Sequence, residues 1–314
     1  MNTPTLSLII SCSTIERQVR SCIEAIRESQ PVGTVELFLV SWEGYDYERF
    51  AGGFHSVTSV RFPKTSSLNK ARAEAVKMAT AEIVVVTEDH ARFTGPWVER
   101  LPAIFAAHDA DAVGWTTIPH NTERSASWAG YLVEYGVWGP GVREGRMPML
   151  PGHNCSYRRS ALMRDPDMLA HYLQAEYFLH TRLVELRRPL YFTTEFTLVH
   201  SQFLSLWKFL LGDFWYGWGF GTTRRQGGER WGIGKRIVYA LAIPLKIPLR
   251  WMILARSPRD PAFFPKGVLW KHSAGITLGY LAGAVGEFCS YVFGDGQAHR
   301  RLTRYEIGFD RSEP

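Results

Sequence analysis

The chain has 314 residues, 46% of them hydrophobic and 21% charged, a balance that excludes a disordered polypeptide and allows one large or two modest cores. Its net charge of +6 suits a negatively charged partner: nucleic acid, anionic lipid or a phosphorylated substrate. No zinc-finger or RNA-binding signature accompanies that charge, which argues against nucleic acid. The four cysteines (Cys12, Cys22, Cys155 and Cys289) form no CxxC pair, so a disulfide framework or structural zinc site is not expected and a reducing compartment is. The opening lacks a basic region with a cleavable apolar stretch, Leu6–Ile10 being only strand-length, and export is not indicated.

Residues 5–10 read as an apolar strand, followed by the polar turn Ser11–Thr14. Ile15, Val19, Cys22, Ile23 and Ile26 then recur at helical spacing, ending before Pro31. Val35–Val40 and Val57–Phe62 are further strands, and the Ala-rich helix Leu68–Ala79 leads into a strand over Ala81–Val86. This alternation is the βαβ pattern of a mostly parallel sheet sandwiched by helices. A helix over Trp97–Ala107 and a strand over Ala112–Thr117 continue it.

The most informative stretch is Ala81–His90, AEIVVVTEDH, where four β-branched residues end abruptly in Glu88, Asp89 and His90. Such a run reads as a strand buried on both faces, and ligand sites in such sheets lie outside the carboxyl ends of the strands. The trio is therefore placed to hold a divalent cation against a phosphorylated substrate, the alternative being an ordinary polar turn.

From Leu204 the texture changes to aromatic bulk with glycines, ending in Arg224 and Arg225. Ile237–Leu254 is apolar but interrupted by Pro244, Lys246, Pro248 and Arg250, and Gly267–Phe293 carries Lys271, His272 and Glu287. A bilayer span wants about 20 predominantly apolar residues. These interruptions favour helices lying in a membrane interface over a conventional span; the alternative is a water-soluble helical subdomain or dimer interface. The expected division is residues 1–203 for the α/β domain and 204–314 for a helical, membrane-associated or oligomerising region.

Taken together, the motifs over about residues 5–200 resemble a family 2-type glycosyltransferase of the GT-A fold. LSLIISCSTIERQVRSCIEAI resembles the family's first strand, nucleotide-contacting turn and helix, and FPKTSSLNKARAEAV the stretch that normally holds Ala-Arg-Asn-x-Gly. VVVTEDHARFTGPWVERL stands at the Asp-x-Asp strand end, PGHNCSYRRSAL at the donor-sugar and acceptor border, and AEYFLHTRLVELRRPLYFTTEFTLVH at the Glu-Asp-x-x-Leu-x-x-Arg-Leu helix, next strand and terminal Val-His. The match is ordered but not complete: Ala73 and Ala75 replace the usual Asn and Gly, and His90 stands where the terminal Asp would be.

The resemblance implies a nucleotide-diphosphate sugar donor with Mn²⁺ or Mg²⁺. It puts nucleotide contacts at Ser11, Ser13 and Glu16, and Asp89, His90 and His200 near the metal, with Glu88 facing the ribose or sugar. Imidazole suits Mn²⁺ better than Mg²⁺. Glu176, at the expected mouth of a helix, is the candidate general base, its alternative a helix-start carboxylate that favours the dipole. His153 and Asn154, on the tight loop after Pro151-Gly152, are expected near sugar hydroxyls or phosphate, and Arg72 near the diphosphate, with loop packing and a surface salt bridge as the respective alternatives. Arg158 and Arg159 are expected to counter phosphate charge, the alternative for one of the two being a surface or salt-bridge role. Where the family normally places an acidic base-recognition residue, this chain has Trp42 and Glu43, so Trp42 is expected to stack on the base or pack in the core, and Glu43 to replace the acidic residue by a one-residue displacement.

These assignments describe an inverting transferase acting on a lipid-linked or membrane-presented acceptor, with an anionic membrane surface as partner, no nucleic acid, and a possible homo-oligomer through the C-terminal region. The expected location is cytoplasmic, attached peripherally or re-entrantly to the inner face of the cell membrane. The alternatives are a soluble enzyme glycosylating a small molecule or polysaccharide, and a catalytically silent nucleotide-sugar-binding module.

Overall fold

A computed structural model describes residues 3–227 and 231–311. In chain order the elements are β1 (Leu6–Ser11), α1 (Glu16–Ser29), β2 (Val35–Trp42), β3 (Ser56–Phe62), α2 (Leu68–Met78), β4 (Ile83–Glu88), β5 (Ala91–Thr94), α3 (Trp97–His108), β6 (Ala112–Pro119), α4 (Ser125–Glu134), β7 (Gly145–Arg146), β8 (Cys155–Arg158), α5 (Arg159–Leu162), α6 (Leu169–Tyr172), α7 (Glu176–Glu185), β9 (Leu190–His200), α8 (Leu206–Gln226), α9 (Ile233–Arg256), α10 (Val268–Lys271), α11 (Ser273–Phe293) and α12 (Ala298–Gly308). They fall into two compact units. The first takes in the chain up to Thr116, then Arg143–His200 and Ile307–Phe309; the second holds Thr117–Val142, Ser201–Glu306 and the chain from Asp310.

The first unit is built on a sheet of order β3-β2-β1-β4-β8-β6-β9-β5, with β7 paired to β9. β3, β2, β1 and β4 run parallel, whereas β8 is antiparallel to both β4 and β6. Every residue of β1, β2 and β4 is buried, as strands covered on both faces require. β3 at the sheet edge stays half-exposed. The stripe Val19, Cys22, Ile23 and Ile26 seats α1 on a core that also contains Leu8, Val85, Trp97 and Trp115; burying each large apolar side chain contributes about 1.5–3 kcal/mol.

Register sets the position of the site. Ser11 pairs with both Val40 and Glu88, so β1 and β4 finish level while β2 runs two residues further to Trp42. β1 lies between β2 and β4, and the chain leaves it first to one side and then to the other. Such a switch point opens a crevice where ligands bind.

The second unit is helical. Residues 117–142 belong to it because α4 packs on α11: a side chain added at Gly275 or Gly279 would meet Ala129 or Val133. α8 and α11 approach through glycine. A Cβ on Gly217 would strike the Gly283 carbonyl, one on Gly286 the Phe214 carbonyl, and one on Gly221 the Ser290 hydroxyl. Such small-residue seams let helix backbones touch.

The interruptions expected in the apolar segment after Arg236 do not break it: α9 is continuous from Ile233 to Arg256 with Pro244 and Pro248 inside. The two prolines stand one turn apart and so spoil the backbone ladder on one side only. Lys246 is neutralised by Glu287 of α11. α9 and α11 are both long and apolar enough to cross a membrane. α9 leaves Leu241, Leu245 and Leu249 exposed.

Candidate active site

Glu88 is the last residue of β4, and the chain turns through Asp89 and His90 into β5. β5 pairs with the end of β9 in a register that sets Ala91 opposite His200. The imidazoles of His90 and His200 therefore meet edge to face, with ring centres 4.7 Å apart. Glu88 Oε2 lies 3.3 Å from His90 Nε2, 3.4 Å from His200 Nε2, and accepts from Asn154 Nδ2 at 3.3 Å. Asn154 is itself fixed by the Thr87 hydroxyl at 2.7 Å. Burial works to raise the Glu88 pKa. The His90 charge, with hydrogen bonds from His200 and His90, outweighs it and holds the carboxylate well below the usual range.

Potential ligand atoms of Glu88, His90 and His200 all lie within 4.8 Å of one another. One carboxylate and two imidazoles form a donor set that fits Mn²⁺ or a related transition ion better than Mg²⁺, which prefers oxygen throughout. Asp89 is the carboxylate expected beside these histidines and Glu88 the one expected at the ribose or sugar, but it is Glu88 that meets the two imidazoles. Asp89 turns toward the β1–α1 connection, accepting from the Ser13 N–H at 2.6 Å and Gln18 Nε2 at 2.7 Å, while its Oδ1 also lies 3.3 Å from His90 Nδ1.

Behind the cluster lies Arg72, expected as a diphosphate contact but fully buried. It donates through Nε to Ser11 Oγ at 2.7 Å and through Nη1 to Asn69 Oδ1 at 3.2 Å, and its Nη2 is 3.7 Å from Glu88 Oε1. Its geometry is that of a group joining β1, α2 and β4 and fixing the charges around it. Asn69 continues the chain by donating to Gln174 at 2.6 Å. Asn69 and Gln174 are not among the expected site residues; Asn69 is traceable from sequence, because three residues before Arg72 on one helix is the same face.

His153 occupies the expected tight loop with φ of 60°, a left-handed conformation that non-glycine residues adopt rarely. Its Nδ1 stands 3.2 Å from Glu176 Oε1 and 3.3 Å from Arg72 Nη1. Burial would depress the His153 pKa, but the Glu176 carboxylate raises it to about 9. Burial likewise pushes Glu176 upward, and His153 and then Arg72 bring it below the ordinary value. Glu176 does begin α7, but its carboxylate is buried beside His153 rather than open at the helix mouth.

The remaining candidates separate. Ser11 and Ser13 are committed to Arg72 and Asp89, and Tyr47 donates to the Ser13 carbonyl at 2.7 Å. Glu16 pairs with Arg49 at 2.5 Å on the exposed start of α1. Trp42 is buried at the end of β2 with Lys64 Nζ 5.4 Å from its ring, and Glu43 is exposed beside it. Arg158 and Arg159 are not at this end of the sheet: Arg158 pairs in register with Ile83, where β4 begins, and its side chain meets Glu82.

A family model described as "Glycosyl transferase family 2" matches residues 7–165. S. aureus TarS 1–349 is similar in structure, with a TM-score of 0.50 at 13% identity over 97% of this chain and 92% of that one. The mannosyltransferase PcManGT from Pyrobaculum calidifontis, solved with GDP-Man and Mn²⁺, has a TM-score of 0.54 at 15% identity over 93% of this chain and 88% of that one. A search of curated proteins finds no match. At these identities the structural likeness is one of fold.

Proposed function

Because the chain belongs to glycosyl transferase family 2 and has the GT-A α/β fold, we propose that it moves a sugar, with inversion, from a nucleotide-diphosphate sugar to a lipid-linked or membrane-presented acceptor. The observation that carries this reading is the pairing, at one end of the sheet, of a Glu88–His90–His200 set with an ionised Glu176. The mannosyltransferase of similar fold binds GDP-Man and Mn²⁺, which supports a donor and ion of the same classes here.

Glu88, His90 and His200 would hold the divalent ion. When bound, it would supply positive charge to the departing diphosphate. Asn154 and the Thr87 hydroxyl keep Glu88 turned toward the two imidazoles. Glu176 takes the proton of the acceptor hydroxyl as that oxygen bonds to the anomeric carbon and the bond to the diphosphate breaks. His153 keeps Glu176 ionised, and Arg72 holds Ser11 and Glu88 at a fixed separation.

Membrane presentation of the acceptor is supported by the exposed leucines of α9, with Lys235 and Arg236 near its start and Arg256 at its end. We place these helices at the membrane interface, on the cytoplasmic side that the free cysteines favour. Titrating the full chain by calorimetry with a panel of nucleoside-diphosphate sugars, with Mn²⁺ or with EDTA, tests the donor reading. Selective, Mn²⁺-strengthened binding of one donor, followed by transfer, supports it. Failure of every donor to bind would overturn it, and binding without transfer to any lipid or soluble acceptor would favour the silent module.

A further inference from the structure

The transfer reaction gives no task to α12, yet its last turn closes on the connection between β1 and α1. Ser201–Glu306 belongs to the second unit, but Ile307–Phe309 belongs to the first. The end of a helix leaves its last four carbonyls without intrahelical donors. One of these, on Ile307, is met by a residue 293 positions away: Thr14 donates to it through its N–H at 2.8 Å and its hydroxyl at 3.3 Å. The Ile307 side chain is only 2% exposed, so the carbonyl cannot swing away without uncovering an apolar group. Thr14 belongs to the turn at the carboxyl end of β1, beside the crevice where β1 separates β2 from β4. The Ser13 N–H in this turn goes to Asp89, the Ser13 carbonyl accepts from Tyr47, and the Thr14 N–H goes to Ile307. Surface connections usually leave such groups to water, whereas three distant segments hold this one. Thr14 and Ile15 are half-buried and remain for a ligand to touch.

We propose that the end of α12 is a brace for donor binding: through the Ile307 carbonyl it holds the Ser13–Thr14 turn in the shape that receives the nucleotide part of the donor. Ile307 is then a positioning residue, acting through Thr14 and not by touching the sugar. A turn ordered before the donor arrives loses less entropy when the donor binds. The inference rests on the nucleotide-sugar reading of the site and adds to it an element from a distant part of the sequence.

The test compares Ile307→Ala, Ile307→Val, Thr14→Val and Leu302→Ala in the full chain. Leu302 is buried on the same helix, so Leu302→Ala should cost comparable stability without loosening the Ile307 carbonyl. Each variant is taken through calorimetry with the nucleotide sugar that the wild type binds, steady-state kinetics, thermal unfolding and hydrogen exchange over residues 12–15. Ile307→Ala is expected to weaken donor binding about 10-fold and raise the donor KM equally, with kcat and the acceptor KM unchanged. Ile307→Val restores most of the affinity, and Thr14→Val, which keeps the N–H, loses about 3-fold. Leu302→Ala binds the donor like the wild type while unfolding at a lower temperature. Exchange over residues 12–15 rises in Ile307→Ala and not in Leu302→Ala. Wild-type donor affinity in Ile307→Ala, or an equal loss in Leu302→Ala, would overturn the proposal. Should the wild type bind no nucleotide sugar, exchange separates the two readings. Faster exchange in Ile307→Ala alone keeps the brace and discards the transferase assignment; unchanged exchange discards both.

Discussion

Gly152 leaves little room for a side chain beside Glu176: a Cβ built there would fall 3.0 Å from Glu176 Oε2, so the carboxylate would have to give by a few tenths of an ångström. The loop that carries His153 is thus pressed against the carboxylate it holds. Gly152→Ala should displace the carboxylate and lower kcat by up to about 10²-fold, as small misplacements of catalytic groups do, with donor affinity nearly unchanged. Steady-state kinetics beside donor calorimetry checks this. An unchanged kcat would mean that the contact has slack or that Glu176 is not the base.

Glu176→Gln preserves the shape of the side chain and removes its capacity to take a proton. Turnover should fall about 10²–10⁴-fold while donor affinity stays within a few-fold of wild type. Near-normal turnover in a folded variant would exclude Glu176 as the base.

The His153–Glu176 pair predicts a pH signature. Glu176 is held below its ordinary value, so its stabilisation is present above about pH 4.3 and lost as pH falls through the depressed pKa. His153 is raised to about 9, so its contribution is complete below about pH 6.5 and lost as pH rises through about 9. The pair therefore stabilises most between those two ordinary values. His153→Gln leaves burial unopposed by the imidazolium, and the acid limb of the kcat profile should move to higher pH. A limb that stays in place would show that His153 does not set the Glu176 charge.

Metal binding should divide neighbouring residues into two kinds. Glu88→Gln, His90→Ala and His200→Ala are each expected to abolish Mn²⁺-strengthened donor binding. Asp89→Asn is expected to lower thermal stability by about 1–3 kcal/mol through the buried Ser13 and Gln18 contacts, with a smaller effect on Mn²⁺. Calorimetric Mn²⁺ titrations and thermal unfolding on all four variants distinguish these outcomes. Asp89→Asn losing Mn²⁺ as completely as Glu88→Gln would return Asp89 to the metal set.

Much of this was legible in sequence because local rules and tertiary structure agree. The β-branched run ending at Glu88 and the apolar spacing from Val19 to Ile26 specify elements without outside help. The direction of individual side chains was less accessible. Asp89 and Glu88 are adjacent, and only the pairing of Ala91 with His200, brought together from distant parts of the chain, decides which carboxylate meets the imidazoles. Arg72 was identifiable as a site residue but not as a buried one, since its partners Ser11, His153 and Glu88 come from three separate segments. Arg158 and Arg159 misled because the motif around them crosses the sheet, from the site at Asn154 to the opposite end four residues later.

The glycine seam gives a further stability prediction. Gly217→Val or Gly286→Val should lower the stability of the helical unit by at least about 1–3 kcal/mol, the usual cost of overpacking, because the atoms in the way are backbone and have no rotamer to change. Thermal unfolding checks this; an unchanged Tm would mean that α8 and α11 separate at little cost.

That seam also constrains how this chain can diverge from its relatives. Where Gly217 faces Gly283 and Gly286 faces Phe214, neither helix can acquire a larger residue alone; the partner would have to shift along its axis or change at the same time. α8 and α11 therefore fit each other as a matched pair. Exchanging either one with a homologue's helix of equal length and hydropathy should fail, while exchanging both together should succeed.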